Sequence, residues 1–411
     1  MTAVTGRKAA MPFIMITLLI DMMSIGLIAP VLPKLVGSHY ADPSAISLGY
    51  GAIQLSFALL QFFSAPVLGA LSDRFGRRPV LLIGLTGMAI NFFVTAFATD
   101  FIWLLVVRMF AGMLCANIAV ANAYVADITT PETRARNFGL LGAMFGIGFI
   151  LGPVIGGLLG DDDHRLPFMV SGGLALLNAV YGYFVLPESL APENRRPFVF
   201  RSPFGALARL RQLKGVEPLL WALACTMLTQ FTMQTVWLLH TSLQFGWTPK
   251  ENGMSLFALG MTAAVMQGGL MRPLERKLGV GRLAMIGMLS SVVAYCCWGL
   301  AKEPWMMYAI TIGNVLGFGI QPAIQSMISN AADASTQGES MGAAASIVSL
   351  SAVVGPLMAG PLMATVSHLP REDWRVGIPF FVCAALQGIA AWIAFVYFSR
   401  YRSSPAPTAG A

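Results

Sequence analysis

The chain contains 411 residues, of which 56% are hydrophobic and only 11% carry a formal charge. Soluble domains carry about 25% charged residues, so this composition excludes an ordinary soluble protein and predicts an all-α protein that crosses a membrane many times. The net charge of +7 is compatible with a nucleic-acid partner, but the charges fall between apolar stretches, and this pattern indicates membrane topology and no nucleic acid.

Twelve apolar stretches are long enough to cross a bilayer, which takes about 20 residues each. The predicted spans are 11–33, 48–69, 79–98, 101–124, 136–158, 166–187, 216–240, 251–271, 281–301, 305–327, 339–363 and 376–399. Of the 26 Lys and Arg residues, 19 lie in segments on the same side of the membrane as the N-terminus. The other seven are Lys34, Arg165, Lys250, Lys302, Arg371 and Arg375 in segments on the opposite side, and Arg108 within a span. Because Lys and Arg concentrate in cytoplasmic segments, we expect both termini in the cytoplasm and a multi-pass protein of the cell inner membrane.

Ionisable side chains are nearly absent from the predicted spans. Asp21 in the first span is the only acid well inside a span, and Arg108 in the fourth is the only base. At 1.5 Å per residue, the depths of these two residues in the membrane differ by about 4 Å. The sequence therefore allows a direct or water-mediated contact between their side chains. Charges inside a membrane are expensive and mark function, although Asp21 in a structural hydrogen bond and Arg108 in an ion-pair strut are the alternatives.

A tight basic turn joins the second and third spans. It contains Gly69, Asp73, Arg74, Gly76, Arg77 and Arg78. A further acid, Asp127, follows the fourth span on the same side. Arginines on this side fit a simple positive-inside loop, but the ordered glycine, acid and arginine pattern favours a specific gate.

The fifth span is rich in glycine. Its central motif contains Gly148, Gly152, Pro153, Gly156 and Gly157. Small residues four apart let two membrane helices approach closely. Ordinary helix packing is the plain interpretation of this pattern.

Three landmarks recur after 203 residues: Gly76 and Gly279, Gly139 and Gly342, and Gly152-Pro153 and Gly355-Pro356. One constant offset indicates a duplication. The predicted organisation is a six-helix bundle at 1–187, a cytoplasmic linker at 188–215 and a second six-helix bundle at 216–411. Such a duplication predicts a substrate cavity between the halves.

Polar side chains within the spans are candidates for substrate binding. They are Gln54, Gln61, Asn91, Asn117, Gln234, Gln267 and Gln325. Packing and capping are the alternative roles for each.

These motifs together resemble the major facilitator superfamily, and the whole chain is similar to its drug:proton antiporter branch, the tetracycline-resistance exporters. The resemblance covers the basic turn, the glycine motif that is found mainly in exporters, the first span around Asp21, and Arg108 four residues before Gly112. It implies that Arg77 contacts an acid such as Asp127 and that Asp73 meets the N-terminus of the eleventh span, so that the two close an inner gate.

The sequence departs from those exporters at three positions. Asn91 stands where they carry an aspartate, Ala263 where they carry a histidine, and Ser291 where they carry another aspartate. These departures argue against a metal–tetracycline substrate. They also leave Asp21 as the one evident intramembrane proton carrier.

The resemblance implies an alternating-access antiporter that exports small amphipathic drugs, tetracycline-like or of wider range, in exchange for protons bound at Asp21. A proton-coupled nutrient importer of the same fold is the main alternative, and a non-transporting receptor is another. No Gly-x-x-x-x-Gly-Lys-Ser/Thr phosphate loop occurs, and the four histidines lack ligand spacing. We therefore expect no enzyme activity, no cofactor and no metal, and a monomer whose partners are the drug, protons and the lipid bilayer.

Overall fold

The computed structural model describes residues 2–115, 117–199, 213, 215–332 and 336–401. Across these ranges the chain forms helices and no strand. The first eight helices are α1 (Thr2–Ile28), α2 (Leu32–Gly37), α3 (Pro43–Phe75), α4 (Arg77–Ala96), α5 (Phe101–Cys115), α6 (Asn117–Ile128), α7 (Pro131–Asp162) and α8 (Leu166–Val185). The other eight are α9 (Glu217–Gln244), α10 (Pro249–Ala264), α11 (Met271–Leu278), α12 (Val280–Gly299), α13 (Pro304–Gly313), α14 (Ile320–Ala331), α15 (Gln337–Ala364) and α16 (Ile378–Tyr401).

The helices match the predicted membrane spans. Ten stretches of the described residues are long and apolar enough to cross a bilayer, and α13 with α14, bent by 53°, gives an eleventh. The remaining predicted span corresponds to α9, which has the length to cross but carries buried threonines at positions 226, 229, 232 and 235. The prediction of an all-α multi-pass membrane fold is confirmed.

Several spans are interrupted where the sequence weakens the helix. The first span turns between α1 and α2, where Pro30 lacks the N–H that would continue the helix. Between α10 and α11 the chain makes a π-helical turn, Val265–Leu270. The glycine-rich segment Val315–Gly319 between α13 and α14 forms a 3₁₀ helix. Residues 11–37 and 249–278 nevertheless remain single stretches that can cross a bilayer, whereas 304–331 is bent by 53° at its break.

By packing, the chain divides into two compact units. The first unit contains residues 1–202 and 238–260, and the second contains 203–237 and 261–411. The first change of unit falls within the predicted linker 188–215, of which 200–212 and 214 lie outside the described residues. The domain boundaries at 187 and 216 come from the duplicated sequence, whereas the two compact units are defined by contacts between residues. The boundaries therefore stay a prediction.

Each unit has its own apolar core. In the first unit, Phe13 and Leu18 of α1 pack with Leu81 of α4 and Tyr124 of α6. In the second, the start of α9 packs with α12, α14, α15 and α16. Lipid is as apolar as these side chains, so close packing rather than removal from water stabilises such contacts.

Candidate functional site

Asp21 lies on α1 inside the first unit. Its side chain is half-buried and lines a cavity of about 10 Å³ with Met88 of α4, Cys115 of α5 and Asn117 of α6. A cavity of this size holds roughly one water molecule. Asp21 forms no hydrogen bond or ion pair with any described residue. The structural hydrogen bond considered from the sequence is thus not formed within the described part of the chain.

The glycines of α7 determine where Asp21 points. A Cβ atom on Gly148 would lie 2.7 Å from the Leu19 carbonyl oxygen, and one on Gly152 would lie 2.6 Å from the Met23 carbonyl oxygen. Only glycine permits α1 and α7 to come this close. Residues advance by about 100° around a helix, so Asp21, two positions from each of these contacts, faces away from α7 and toward the cavity.

The rest of the glycine motif serves the same packing. Gly156 lies against the backbone of Leu27, one turn further along α1. On another face of α7, a Cβ atom on Gly157 would lie 3.2 Å from the Cα atom of Gly253, and Gly253 in turn lies against the Pro153 carbonyl. The motif therefore packs α7 against both α1 and α10 within the first unit.

Arg108 is buried on α5 with 8% of its surface exposed. Its guanidinium carbon lies 5.8 Å from the ring centroid of Phe168, a cation–π distance. Its Nε and Nη2 atoms have no hydrogen-bond partner among the described residues. Gly112, one turn further along α5, lies directly against the backbone of Phe57 of α3.

The side chains of Asp21 and Arg108 do not form a pair. No hydrogen bond or ion pair joins the two side chains, both of which are described. Cys115 lies within electrostatic range of both of them. The direct pair that the sequence left open is therefore not formed.

The asparagines predicted to bind substrate hold helices together. Asn91 is buried and donates a hydrogen bond to the Val107 carbonyl at 2.7 Å. Asn117 donates to the Leu81 carbonyl at 3.1 Å and also lines the Asp21 cavity. Of the predicted substrate-binding residues, Asn117 is the one that shares this cavity.

The glutamine candidates are spread over both units. Gln54 and Gln61 in the first unit and Gln325 in the second are half-buried, whereas Gln234 and Gln267 in the second are exposed. Gln267 donates to the Phe318 carbonyl at 3.4 Å, which joins the π-helical turn to the 3₁₀ segment. A substrate role for all five remains a prediction.

The basic turn forms a charged network around Arg77. This arginine, 8% exposed, contacts Asp127 at 3.1 Å through Nε, and Asp73 at 2.6 Å through Nη1. The same Nη1 donates to the Ser72 hydroxyl at 2.6 Å. The Arg77–Asp127 contact implied by the resemblance is present, and Ser72 joins it.

Glu188 is a member of this network that the sequence interpretation missed. One carboxylate oxygen accepts the backbone N–H of Arg77 at 2.8 Å, and the other accepts that of Arg78 at 3.2 Å. The carboxylate also accepts the N–H groups of Ser189 and Leu190, each at 3.0 Å. Glu188 therefore caps the N-terminus of α4 from the segment after α8. An acid next to Pro187, on the same side as the basic turn, was the available signal.

The side chains of the other two arginines of the turn contact neither Asp73 nor Asp127. Arg78 donates to the Tyr183 carbonyl at 2.6 Å. Arg74 is exposed and lies over the Phe75 ring at 5.2 Å. A Cβ atom on Gly69 would meet no atom within 4 Å.

Metal-binding geometry is absent from the part of the chain that the structure describes: no group of three or more His, Cys, Asp or Glu side chains could hold an ion there.

The sequence and the fold both match known proteins. The model of the Major Facilitator Superfamily matches residues 14–356 and 269–411. The class C tetracycline resistance protein of Escherichia coli is 36% identical over 386 residues, 92% of this chain and 96% of that protein. The class D tetracycline resistance protein of Salmonella ordonez is 35% identical and spans 90% of this chain and 94% of that protein.

Two solved structures share the fold. The human organic anion transporter MFSD10 (TETRAN) superposes with a TM-score of 0.70 at 22% identity and covers 94% of this chain and 99% of its own. A bacterial homolog of the human lysosomal transporter Spinster superposes with a TM-score of 0.74 at 16% identity, covering 98% and 99%.

Proposed function

Because the chain belongs to the Major Facilitator Superfamily, a family of transporters, we propose that it is a proton-coupled antiporter that exports small amphipathic drugs by alternating access. The drugs are tetracycline-like or of wider range. The observation that carries the proposal is Asp21, a carboxyl group without a partner in the described residues, facing a cavity inside a membrane helix bundle. The tetracycline resistance proteins among its relatives support export.

Asp21 is suited to bind and release protons. An isolated charge at the centre of a membrane helix costs about 2.5–3.5 kcal/mol or more, so the carboxyl group is stabilised as the neutral acid while it faces the apolar cavity. Water or a cationic group brought near it stabilises the ionised form. Protonation and cargo binding then exclude one another, and this competition produces exchange.

Arg108 has a supporting role in this proposal. A buried guanidinium with unsatisfied N–H groups favours a nearby negative charge. Cys115 lies in electrostatic range of both charged groups. We therefore assign Arg108 to stabilising the ionised form of Asp21 when the helices rearrange.

The proton gradient is sufficient to drive export. One inward proton at 100 mV supplies about 2.3 kcal/mol. At about 1.4 kcal/mol per tenfold, this sustains roughly a fifty-fold gradient of a neutral drug. We propose a monomer in the cell inner membrane with both termini in the cytoplasm, where Arg77, Asp73 and Asp127 form the inner gate.

The neutral residues at positions 91 and 291 argue for a drug other than the metal–tetracycline complex. Asn91 is bound to a backbone carbonyl, and Ser291 donates to Asn314 at 3.3 Å. Neither supplies the carboxylate that stands there in the tetracycline exporters. We propose uncomplexed amphipathic drugs as the cargo.

Transport in inverted membrane vesicles tests the proposal. A pH gradient, acid inside, should drive uptake of a drug chosen from a susceptibility panel in a pump-deficient host. Asp21→Asn should abolish this pH-driven uptake. Ser24→Ala is the matched control, because Ser24 lines the same cavity without a titratable group, and it should keep most of the uptake.

Each outcome decides between the alternatives. Retained pH-driven uptake in Asp21→Asn would remove Asp21 as the proton carrier. Flux of a nutrient in the direction of the proton would instead identify an importer. An absence of proton-linked flux for the whole panel in wild-type vesicles would contradict transport of this class.

A further inference from the structure

A groove lies in the first unit where α4 ends and α5 begins, at the end of α4 opposite the basic turn. Its volume is about 510 Å³, and it is lined by Phe93, Val94, Phe97, Thr99, Asp100 and Trp103. This is the size of a small-molecule site, typically about 300–1,000 Å³. It contains none of the residues assigned to transport.

The groove combines aromatic faces with one carboxylate. Phe97 is 58% exposed and Trp103 is 49% exposed. One carboxylate oxygen of Asp100 accepts the backbone N–H of Trp103 at 2.8 Å, which fixes the position of the acid in a groove that Trp103 also lines. A carboxylate has about four acceptor positions, and the exposed Asp100 therefore keeps capacity for a ligand. Aromatic faces next to a carboxylate bind ammonium groups.

The beginning of α5 offers the complementary site. The first N–H groups of a helix lack partners within the helix and favour anions such as phosphate. Asp100 already accepts the Trp103 N–H, so the N–H groups of Phe101 and Ile102 are the ones without a hydrogen-bond partner among the described residues. The Asp100 carboxylate and the N-terminus of α5 together suit a ligand that carries both a phosphate and an ammonium group. They disfavour a ligand that carries only negative charge.

An apolar stripe leads along α4 to the groove. Ile83, Ile90 and Phe97 lie seven residues apart, so they share one helix face, and they are 69%, 58% and 58% exposed. Aromatic side chains at a span end typically lie at the level of lipid headgroups. A ligand with an acyl chain can therefore place its chain along this stripe and its headgroup in the groove.

We propose that this groove binds a phospholipid with an ammonium headgroup, in the leaflet opposite the basic turn. Asp100 and the Trp103 ring hold the ammonium, the first turn of α5 holds the phosphate, and the α4 stripe holds an acyl chain. Anionic lipids without an ammonium are repelled by Asp100.

Two other acids at span ends lack this combination. Asp42 caps α3 by accepting the N–H groups of Ser44 and Ala45, but it lines neither this groove nor the Asp21 cavity. Asp373 is already paired with Arg375 at 2.6 Å, and hydrogen bonds from Arg375 hold the pKa of the Asp373 carboxyl below its ordinary value. Asp42 therefore provides a matched control for Asp100.

Native mass spectrometry of the purified full-length protein tests the proposal. The protein is titrated with phosphatidylethanolamine or phosphatidylglycerol of identical acyl chains, and the lipid-bound fractions are compared. The wild type should retain the ethanolamine lipid preferentially. Asp100→Asn, which keeps the helix cap, should lower this preference about two- to five-fold, whereas Asp42→Asn should leave it unchanged.

A second pair of variants tests the aromatic part of the site without changing Asp100. Trp103→Leu should also lower the preference, and Trp392→Leu, at another exposed tryptophan, should not. Equal retention of the two lipids by the wild type would overturn the proposal. So would an equal effect of Asp100→Asn and Asp42→Asn, or a preference that survives both groove variants.

Discussion

The helix junctions at Gly76 and Gly279 share a backbone conformation but differ in their side-chain contacts. Gly76 has φ 104° and ψ 157°, and Gly279 has φ 78° and ψ 153°. Each glycine ends one helix and begins the next, and the two positions are 203 residues apart. Non-glycine residues rarely adopt these angles, so both halves of the sequence specify the same turn.

Among the described residues, only the first junction carries a charged network. Arg77 contacts Asp73 and Asp127, whereas Arg276 stands at the position of Asp73 and Asn330 at that of Asp127. Neither Arg276 nor Glu275 forms an ion pair with a described residue. Duplication of the turn thus preserved its backbone, while the network depends on Asp73 and Asp127, whose equivalents in the second half are not acids.

The largest expected effect is that of Arg77→Ala. It should lower the free energy of unfolding by about 3–5 kcal/mol, because removing the buried arginine leaves Asp73 and Asp127 without the cation that pairs with both of them. Chemical unfolding in detergent micelles measures the change. Arg276→Ala at the second junction should stay within about 0.5 kcal/mol, and equal losses at the two junctions would contradict the comparison.

A matched pair of glycine substitutions follows. Gly76→Ala and Gly279→Ala each place a side chain at a positive φ, which costs about 1–3 kcal/mol. At Gly76 the new Cβ atom would also meet the Glu188 carboxylate, whereas at Gly279 nothing lies within 4 Å. The first variant should therefore unfold more easily by about a further 1 kcal/mol, compared in the same unfolding assay. A larger loss at Gly279 would show that contact with Glu188 is unimportant.

Glu188→Gln should have a moderate effect. The amide keeps the shape and one acceptor oxygen but loses the charge, and hydrogen bonds to a charged group contribute about 1.5–3 kcal/mol. We expect a loss of about 1–2 kcal/mol in unfolding free energy and faster hydrogen exchange at the N–H groups of Arg77 and Arg78. Glu193→Gln, an exposed acid in the same connection, is the control. Unchanged exchange at Arg77 would exclude Glu188 as the cap of α4.

The smallest effect is expected from Arg276→Asp, which restores an acid at the second junction. The position of Arg77 is held there by Val280, and that of Asp127 by Asn330. An acid alone therefore has no partner, and the change in unfolding free energy should stay within about 0.5 kcal/mol. A stabilisation above about 1 kcal/mol would mean that the second junction holds a latent network.

The sequence by itself determined the helical membrane fold, the duplicated turns and the isolation of Asp21 among the spans. These features follow from local rules: apolar stretches of span length, glycine at positive φ, and the cost of charge in lipid. The Arg77–Asp127 contact could also be predicted from the sequence, although only because the sequence resembles a known family.

Only the tertiary structure decided which groups meet. It directed Asp21 away from α7 through contacts with Gly148 and Gly152, kept Asp21 apart from Arg108, used Asn91 to join helices, and placed Glu188 on the start of α4. The helix period gives a side chain's angle about its own axis, but its partner depends on how closely two backbones approach. That distance is set by residues far apart in the sequence.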